Sequence, residues 1–134
     1  MDRQALGKAY RVLDSGLALF MFPEGTRSKN AKLQPAFPGS ALIALHNNVP
    51  ILPVGVSGLE NVKHSPLWWI VRRHKLTVRI NIGHPFYLPV TKDKPTKDEL
   101  RKLADFIMGR IAELLPPEYR GYYAEKVEPI VSKD

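Results

Sequence analysis

The chain has no cysteine among its 134 residues, which excludes a disulfide framework, a thiolate metal site and a cysteine nucleophile. It also lacks any apolar run approaching the roughly 18 residues of a membrane-spanning helix. Its longest apolar stretches are residues 17–23, 41–45, 49–59 and 66–71. The opening Met1-Asp2-Arg3-Gln4 has no apolar signal-peptide core, and neither repeats nor low-complexity segments occur. Acidic residues are scarce where basic ones gather. Residues 1–90 hold 11 basic and 4 acidic side chains, whereas residues 91–134 hold 9 of each, so the whole formal charge of +7 lies in the first part. Lys63, Arg72, Arg73, Lys75 and Arg79 fall in residues 61–91, which contain no acid. Such a field attracts phosphate on nucleic acid, lipid headgroup or small substrate, or it is a solvated basic face. An apolar content of 44% argues against disorder, and the length suits one domain.

The apolar pattern orders the chain as helix, strand, helix, strand, strand, helix. Leu6, Ala9, Tyr10 and Leu13 recur at helical spacing, and Gly16 follows as a stop. Residues 17–22 are continuously apolar between Gly16 and Pro23, which predicts a strand buried on both faces. Residues 24–38 read as a loop, and residues 38–46 as a helix with Pro38 at its start and Asn47-Asn48 at its end. Residues 50–57 are a second apolar strand. In residues 75–82, Leu76, Val78, Ile80 and Ile82 alternate with Thr77, Arg79 and Asn81, predicting a half-exposed strand. Thr96-Lys97-Asp98-Glu99 is a capping-box pattern opening a helix over about 96–115. Its stripe is Leu100, Leu103, Ala104, Ile107, Ile111 and Leu114, and Pro116-Pro117 ends it. Tyr119, Tyr122 and Tyr123 in the tail are placed to pack back on the domain. Buried strands alternating with helices predict an α/β fold, a layered mixed or parallel sheet flanked by helices, with at least one parallel connection. Three strands make a thin sheet for such apolar strands, so further strands are expected upstream.

One segment carries chemistry. Phe22-Pro23-Glu24-Gly25-Thr26-Arg27-Ser28 sits where an apolar run gives way to a loop, and open α/β sheets bind ligands at strand C-termini. Gly25 permits a tight turn that brings backbone N–H groups to an anion. Arg27 offers a planar charged fork for phosphate. Thr26 and Ser28 add hydroxyl donors, and Glu24 is able to orient Arg27 or accept from substrate hydroxyls. The plainer alternative is a loop with an exposed Glu and Arg.

This block resembles the signature of the PlsC-type glycerolipid acyltransferases, the 1-acylglycerol-3-phosphate acyltransferases. Asp2-Arg3 is similar to the end of that family's preceding block, and Pro38-Gly39-Ser40-Ala41 to the helix start after the signature loop. Val49-Pro50-Ile51-Leu52-Pro53-Val54 is similar to its last block, and the likeness spans residues 2–90. The resemblance implies a glycerol-3-phosphate acyltransferase-like fold, with residues 1–90 as the C-terminal, acceptor-site portion of the domain and residues 91–134 as a capped helix and tail packed on it. The implied reaction moves a fatty acyl group from acyl-CoA or acyl carrier protein to a lysophospholipid or glycerol-phosphate acceptor in phospholipid biosynthesis, with no metal or prosthetic group. Arg3, Glu24, Gly25, Thr26, Arg27 and Ser28 would form the acceptor and phosphate site, and Pro50 and Pro53 would shape the active-site strand.

The family's catalytic pair is a His followed five positions later by an Asp, a general base held in the right tautomer by a carboxylate. The residues five positions after His46, His64, His74 and His84 are Ile51, Trp69, Arg79 and Pro89. The dyad is therefore not in this sequence, and the four histidines read as loop or surface residues. The expectation is a truncated or mis-started reading frame, an excised fragment or a degenerate paralogue. Such a chain would be inactive alone and poorly folded by itself. Lys63, Trp68, Trp69, Arg72 and Arg73 mix interfacial tryptophans with basic residues. This suggests a foot on an anionic membrane surface, unless both tryptophans are core. A location on the cytoplasmic side of the membrane follows, peripheral or anchored through a missing N-terminal segment. The alternatives are a non-catalytic lipid- or phosphate-binding fragment and nucleic-acid binding, which the basic pI suggests but which lacks any recognisable module or zinc spacing.

Overall fold

The computed structural model describes residues 2–61, 77–89 and 94–126. Helix α1 runs Arg3–Asp14, α2 Gly39–Asn47 and α3 Lys97–Glu113; strands β1, Val54–Ser57, and β2, Arg79–Ile82, lie between the last two helices. A short 3-10 turn, Leu59–Asn61, follows β1, and two more, Pro117–Tyr119 and Gly121–Tyr123, follow α3.

Each helix is bounded by chemistry that its sequence supplies. The Asp2 carboxylate accepts from Gln4 N at 3.3 Å and caps α1, satisfying one of the free N–H groups of the first turn. In α2, Pro38 occupies the N-cap and Asn48 ends the helix in the left-handed region at φ 47°, a role to which Asn is suited. In α3, Glu99 N donates to Thr96 Oγ1 at 3.2 Å and Thr96 N to Glu99 Oε2 at 2.7 Å, completing the capping box.

The core lies between α2 and α3. Ala41, Ala44, Leu103, Ala104 and Ile107 are buried together with Leu88. Ala41 and Ala104 are fully enclosed, and side chains that small let two helices approach closely. On its other flank α2 meets α1, where the Tyr10 and His46 rings stack with centroids 3.9 Å apart and Asn47 Nδ2 donates to Asp14 Oδ1 at 2.8 Å. Further along α3, Met108 and Ala112 enclose the ring of Tyr123 from the tail.

The sheet differs from expectation. Among the described residues it has two strands, and they are antiparallel, with Val54 opposite Ile82 and Val56 opposite Ile80. Pairing extends outward through an antiparallel bridge, in which Ile51 and Phe86 exchange both backbone bonds at 2.7 and 3.0 Å. Neither a layered sheet nor a parallel connection is formed by these residues. Residues 17–22, expected as a buried strand, form none. Among the described residues, no backbone hydrogen bond to another strand reaches residues 18–21, and Phe20 is 72% exposed. Apolar content creates a demand for burial, but a strand also needs a ladder partner. Of the strand expected over residues 75–82, Arg79–Ile82 form β2, while residues 75–76 lie outside the described residues; Ile80 and Ile82 are 62% and 65% exposed, so the apolar face of β2 is uncovered rather than packed.

The other side of β1 is anchored to the end of α3. A Cβ on Gly55 would lie 2.9 Å from Leu114 Cβ, and one on Gly83 would meet both Leu114 methyls at 3.2 and 3.3 Å. Asn81 Nδ2 donates to Leu114 O at 2.8 Å. Leu114 thus sits in a notch that only two side-chain-free positions leave open. No helix of the described residues is long and apolar enough to cross a membrane.

Candidate functional site

The seven-residue block opens a loop whose neck is closed by Phe37 N donating to Pro23 O at 3.0 Å. At its start Gly25 N donates to Phe22 O at 3.0 Å, forming a tight turn. Gly25 has φ +68°, a conformation that costs glycine no strain. The Phe37 ring covers it, and a Cβ at this position would touch that ring at 3.0 Å. The turn therefore needs glycine for both its backbone and its roof. Met21, Phe22, Pro23, Gly25, Phe37 and Ser40 line a mostly apolar depression of about 250 Å³ beside it.

Glu24 turns back into the loop. Its Oε2 accepts from Gln34 N at 2.8 Å. Burial raises its pKa above the ordinary carboxylate value, and the Gln34 bond opposes that shift only partly. Ser28 Oγ donates to Asn30 Oδ1 at 2.9 Å and accepts from Lys32 N at 3.1 Å, which folds the loop tip around the left-handed Ala31, φ 61°. Thr26 and Arg27 remain exposed at the turn. Arg27, Lys29 and Lys32 outnumber Glu24, the sole acid from residue 15 to 59. The loop therefore presents a positive surface over a half-buried carboxylate, an arrangement suited to an anion.

The remaining candidates lie on other segments of the chain. Arg3 stands exposed in the first turn of α1. Pro50 is exposed ahead of the Ile51 bridge, and Pro53 is buried against Gly83; neither lines the depression. Lys63, Trp68, Trp69, Arg72 and Arg73 lie outside the described residues, so the interfacial foot has no structural description. His46 stacks on Tyr10 and His84 is exposed.

The support beneath the loop lies outside the seven-residue motif. The loop's return arm, residues 33–37, is held by the C-terminal tail. Leu33 N donates to Tyr119 O at 2.9 Å and Tyr122 N to Leu33 O at 3.1 Å, while Ala36 N donates to the Tyr123 hydroxyl at 3.0 Å. The three tail tyrosines were the available signal, because a buried tyrosine hydroxyl needs a partner.

A family model described as Acyltransferase matches residues 1–57, a stretch that includes the loop, its neck and α2. Over that stretch the chain matches the acyltransferase family. It is 31% identical over 126 residues to a 1-acyl-sn-glycerol-3-phosphate acyltransferase of Cocos nucifera, covering 93% of this chain and 36% of the relative. It is 30% identical over 125 residues to one of Saccharomyces cerevisiae, covering 86% and 39% respectively. With one of Haemophilus influenzae it shares 34% identity over 126 residues, covering 85% and 49%. The chain thus spans between about a third and a half of the length of these relatives. No solved structure matches it. The match to the acyltransferase family lies on the stretch that carries the turn at Gly25, and the alignments with these relatives continue beyond it into α3.

Proposed function

We propose that the chain supplies the acceptor-binding portion of an acyltransferase of phospholipid biosynthesis. In that reaction a lysophospholipid or glycerol-phosphate hydroxyl attacks the thioester carbonyl of acyl-CoA or of an acyl carrier protein. A carbon–oxygen ester bond forms, the carbon–sulfur bond breaks, and the hydroxyl proton leaves on a general base while the thiol departs protonated. The exposed Arg27 beside the Gly25 turn is the observation that carries this reading, supported by the names of the relatives. In the proposed site Arg27 binds the acceptor phosphate, Thr26 and Ser28 donate to it, and Glu24 holds the turn in shape. Arg3 joins from the start of α1, and Pro50 and Pro53 stiffen the approach to β1. No metal or prosthetic group takes part. The basic segment with Lys63, Trp68, Trp69, Arg72 and Arg73 rests on an anionic membrane surface, on the cytoplasmic side.

Because the sequence contains no His-x4-Asp pair, the general base is absent from this chain, which by itself binds acceptor without turning it over. Incubating the purified chain with lysophosphatidate and labelled acyl-CoA tests the second half of that statement, and turnover above a buffer blank refutes it. Calorimetry with lysophosphatidate tests the first half. Binding that weakens on Arg27→Gln, and that fails for the phosphate-free monoacylglycerol, is expected. Equal binding of both lipids would sink the phosphate reading. A gel shift on duplex DNA stronger than the lipid binding would favour a nucleic-acid role instead.

A further inference from the structure

The loop that carries Glu24 is positioned from outside the family-matched residues 1–57. Its return arm is gripped on two sides. On one side, Gln34 N donates to Glu24 Oε2 at 2.8 Å. On the other, Ala36 N donates to the Tyr123 hydroxyl at 3.0 Å, and that hydroxyl donates to Asp105 Oδ1 at 3.1 Å. The second carboxylate oxygen of Asp105 is occupied by Lys126 Nζ at 2.9 Å. Tyr123 is fully buried, and burial pushes its phenol well above the ordinary value, so it keeps the proton it donates to Asp105. A fully enclosed hydroxyl that both accepts and donates has no rotational freedom to spare. One residue lies between Gln34 and Ala36, and it is Pro35, whose ring fixes φ. A displacement at Ala36 is therefore passed to Gln34 with little chance of being absorbed.

We infer that Tyr123 is a positioning residue for Glu24, acting through Ala36, Pro35 and Gln34, so that the C-terminal tail sets the shape of the acceptor-phosphate turn. Its effect on ligand binding rests on the function proposed above; its effect on Glu24 does not.

The test uses the whole chain and heteronuclear NMR. Tyr123→Phe keeps the ring and removes only the hydroxyl. Amide exchange at Ala36 and at Gln34 is expected to accelerate about fivefold or more, the loss of one hydrogen bond of ordinary strength, while Ala44 in α2 stays unchanged. The Glu24 carboxyl titration is expected to move down toward the ordinary 4.5 as the loop admits water. Tyr122→Phe, with a half-exposed ring, is expected to alter neither. Acceleration at Ala36 alone, with Gln34 and the Glu24 titration unmoved, overturns the inference, because a merely structural contact would behave that way. If Tyr123→Phe does not fold, the unmodified chain decides. Its Ala36 amide and Tyr123 ring resonances are expected to follow the Glu24 midpoint in a pH titration, and flat resonances overturn the coupling. Lysophosphatidate then separates the two ideas. Weakened binding by Tyr123→Phe supports both. A shifted Glu24 titration with unchanged binding upholds the positioning role and refutes the phosphate site.

Discussion

Replacing Gly121 by alanine is expected to detach the tail from the signature loop, and its magnitude follows from the contacts. Gly121 has φ +50°, where a residue with a Cβ is strained by roughly 1 kcal/mol. The new Cβ would also fall 2.4 Å from Leu33 O and 2.9 Å from Lys32 Cβ, far inside contact distance, so the tail must lift. Lifting breaks the bonds between Leu33 N and Tyr119 O and between Tyr122 N and Leu33 O, about 1 kcal/mol each. The sum is about 3 kcal/mol, a large part of the margin of an ordinary domain. For a chain of this size that corresponds to a fall in Tm on the order of 10 °C. Thermal unfolding followed by circular dichroism measures it. Gly109→Ala is the control, since nothing lies within 4 Å of a Cβ there and it sits inside α3; it is expected to stabilise by about 0.5–1 kcal/mol. A Gly121→Ala chain that melts with the unmodified one would refute the close approach of tail and loop.

Thr96→Ala removes the capping hydroxyl of α3 and is expected to cost about 1 kcal/mol in urea unfolding; no change would mean that the box does not form in solution. The raised pKa of Glu24 means that the folded chain holds its proton more tightly than the unfolded chain. Its contribution to stability is then largest below the ordinary value of 4.5 and is lost as pH rises through its higher folded value. The stability difference between the unmodified chain and Glu24→Gln should show that slope, and a difference that grows in the opposite direction would contradict the burial. Ile80→Lys with Ile82→Lys places charge on the uncovered face of β2. The expected stability change is within about 0.5 kcal/mol, with less self-association in sedimentation velocity; loss of folding would show that the face is covered in solution.

The three helices of the described residues were legible because their signals are local. The Leu6 to Leu13 spacing, the Pro38 and Asn48 boundaries and the Thr96 box each lie within a few residues of the element they define. The strands were less so. Residues 17–22 announce an appetite for burial but carry nothing that names a partner, whereas Val54 and Ile82 meet only through a register that two distant segments set together. The turn at Gly25 was readable for the same reason as the helices, as seven consecutive residues. Its support was not, because Ala36 and Tyr123 stand 87 positions apart and no periodicity links them. That Glu24 faces its own loop rather than outward also escaped the motif, since only the folded path of the return arm puts Gln34 N beside it.

Leu114 in its notch between Gly55 and Gly83 works as a dowel between helix and sheet. Its close fit against two positions without side chains resists sliding of α3 over β1. Asp105 lies on the same rigid rod, about 13 Å up its axis at the rise of an α-helix. The fixed point from which Tyr123 hangs is therefore surveyed from the sheet, and the geometry of the turn at Gly25 is referenced, through one helix and one phenol, to strands with which it shares no backbone hydrogen bond among the described residues.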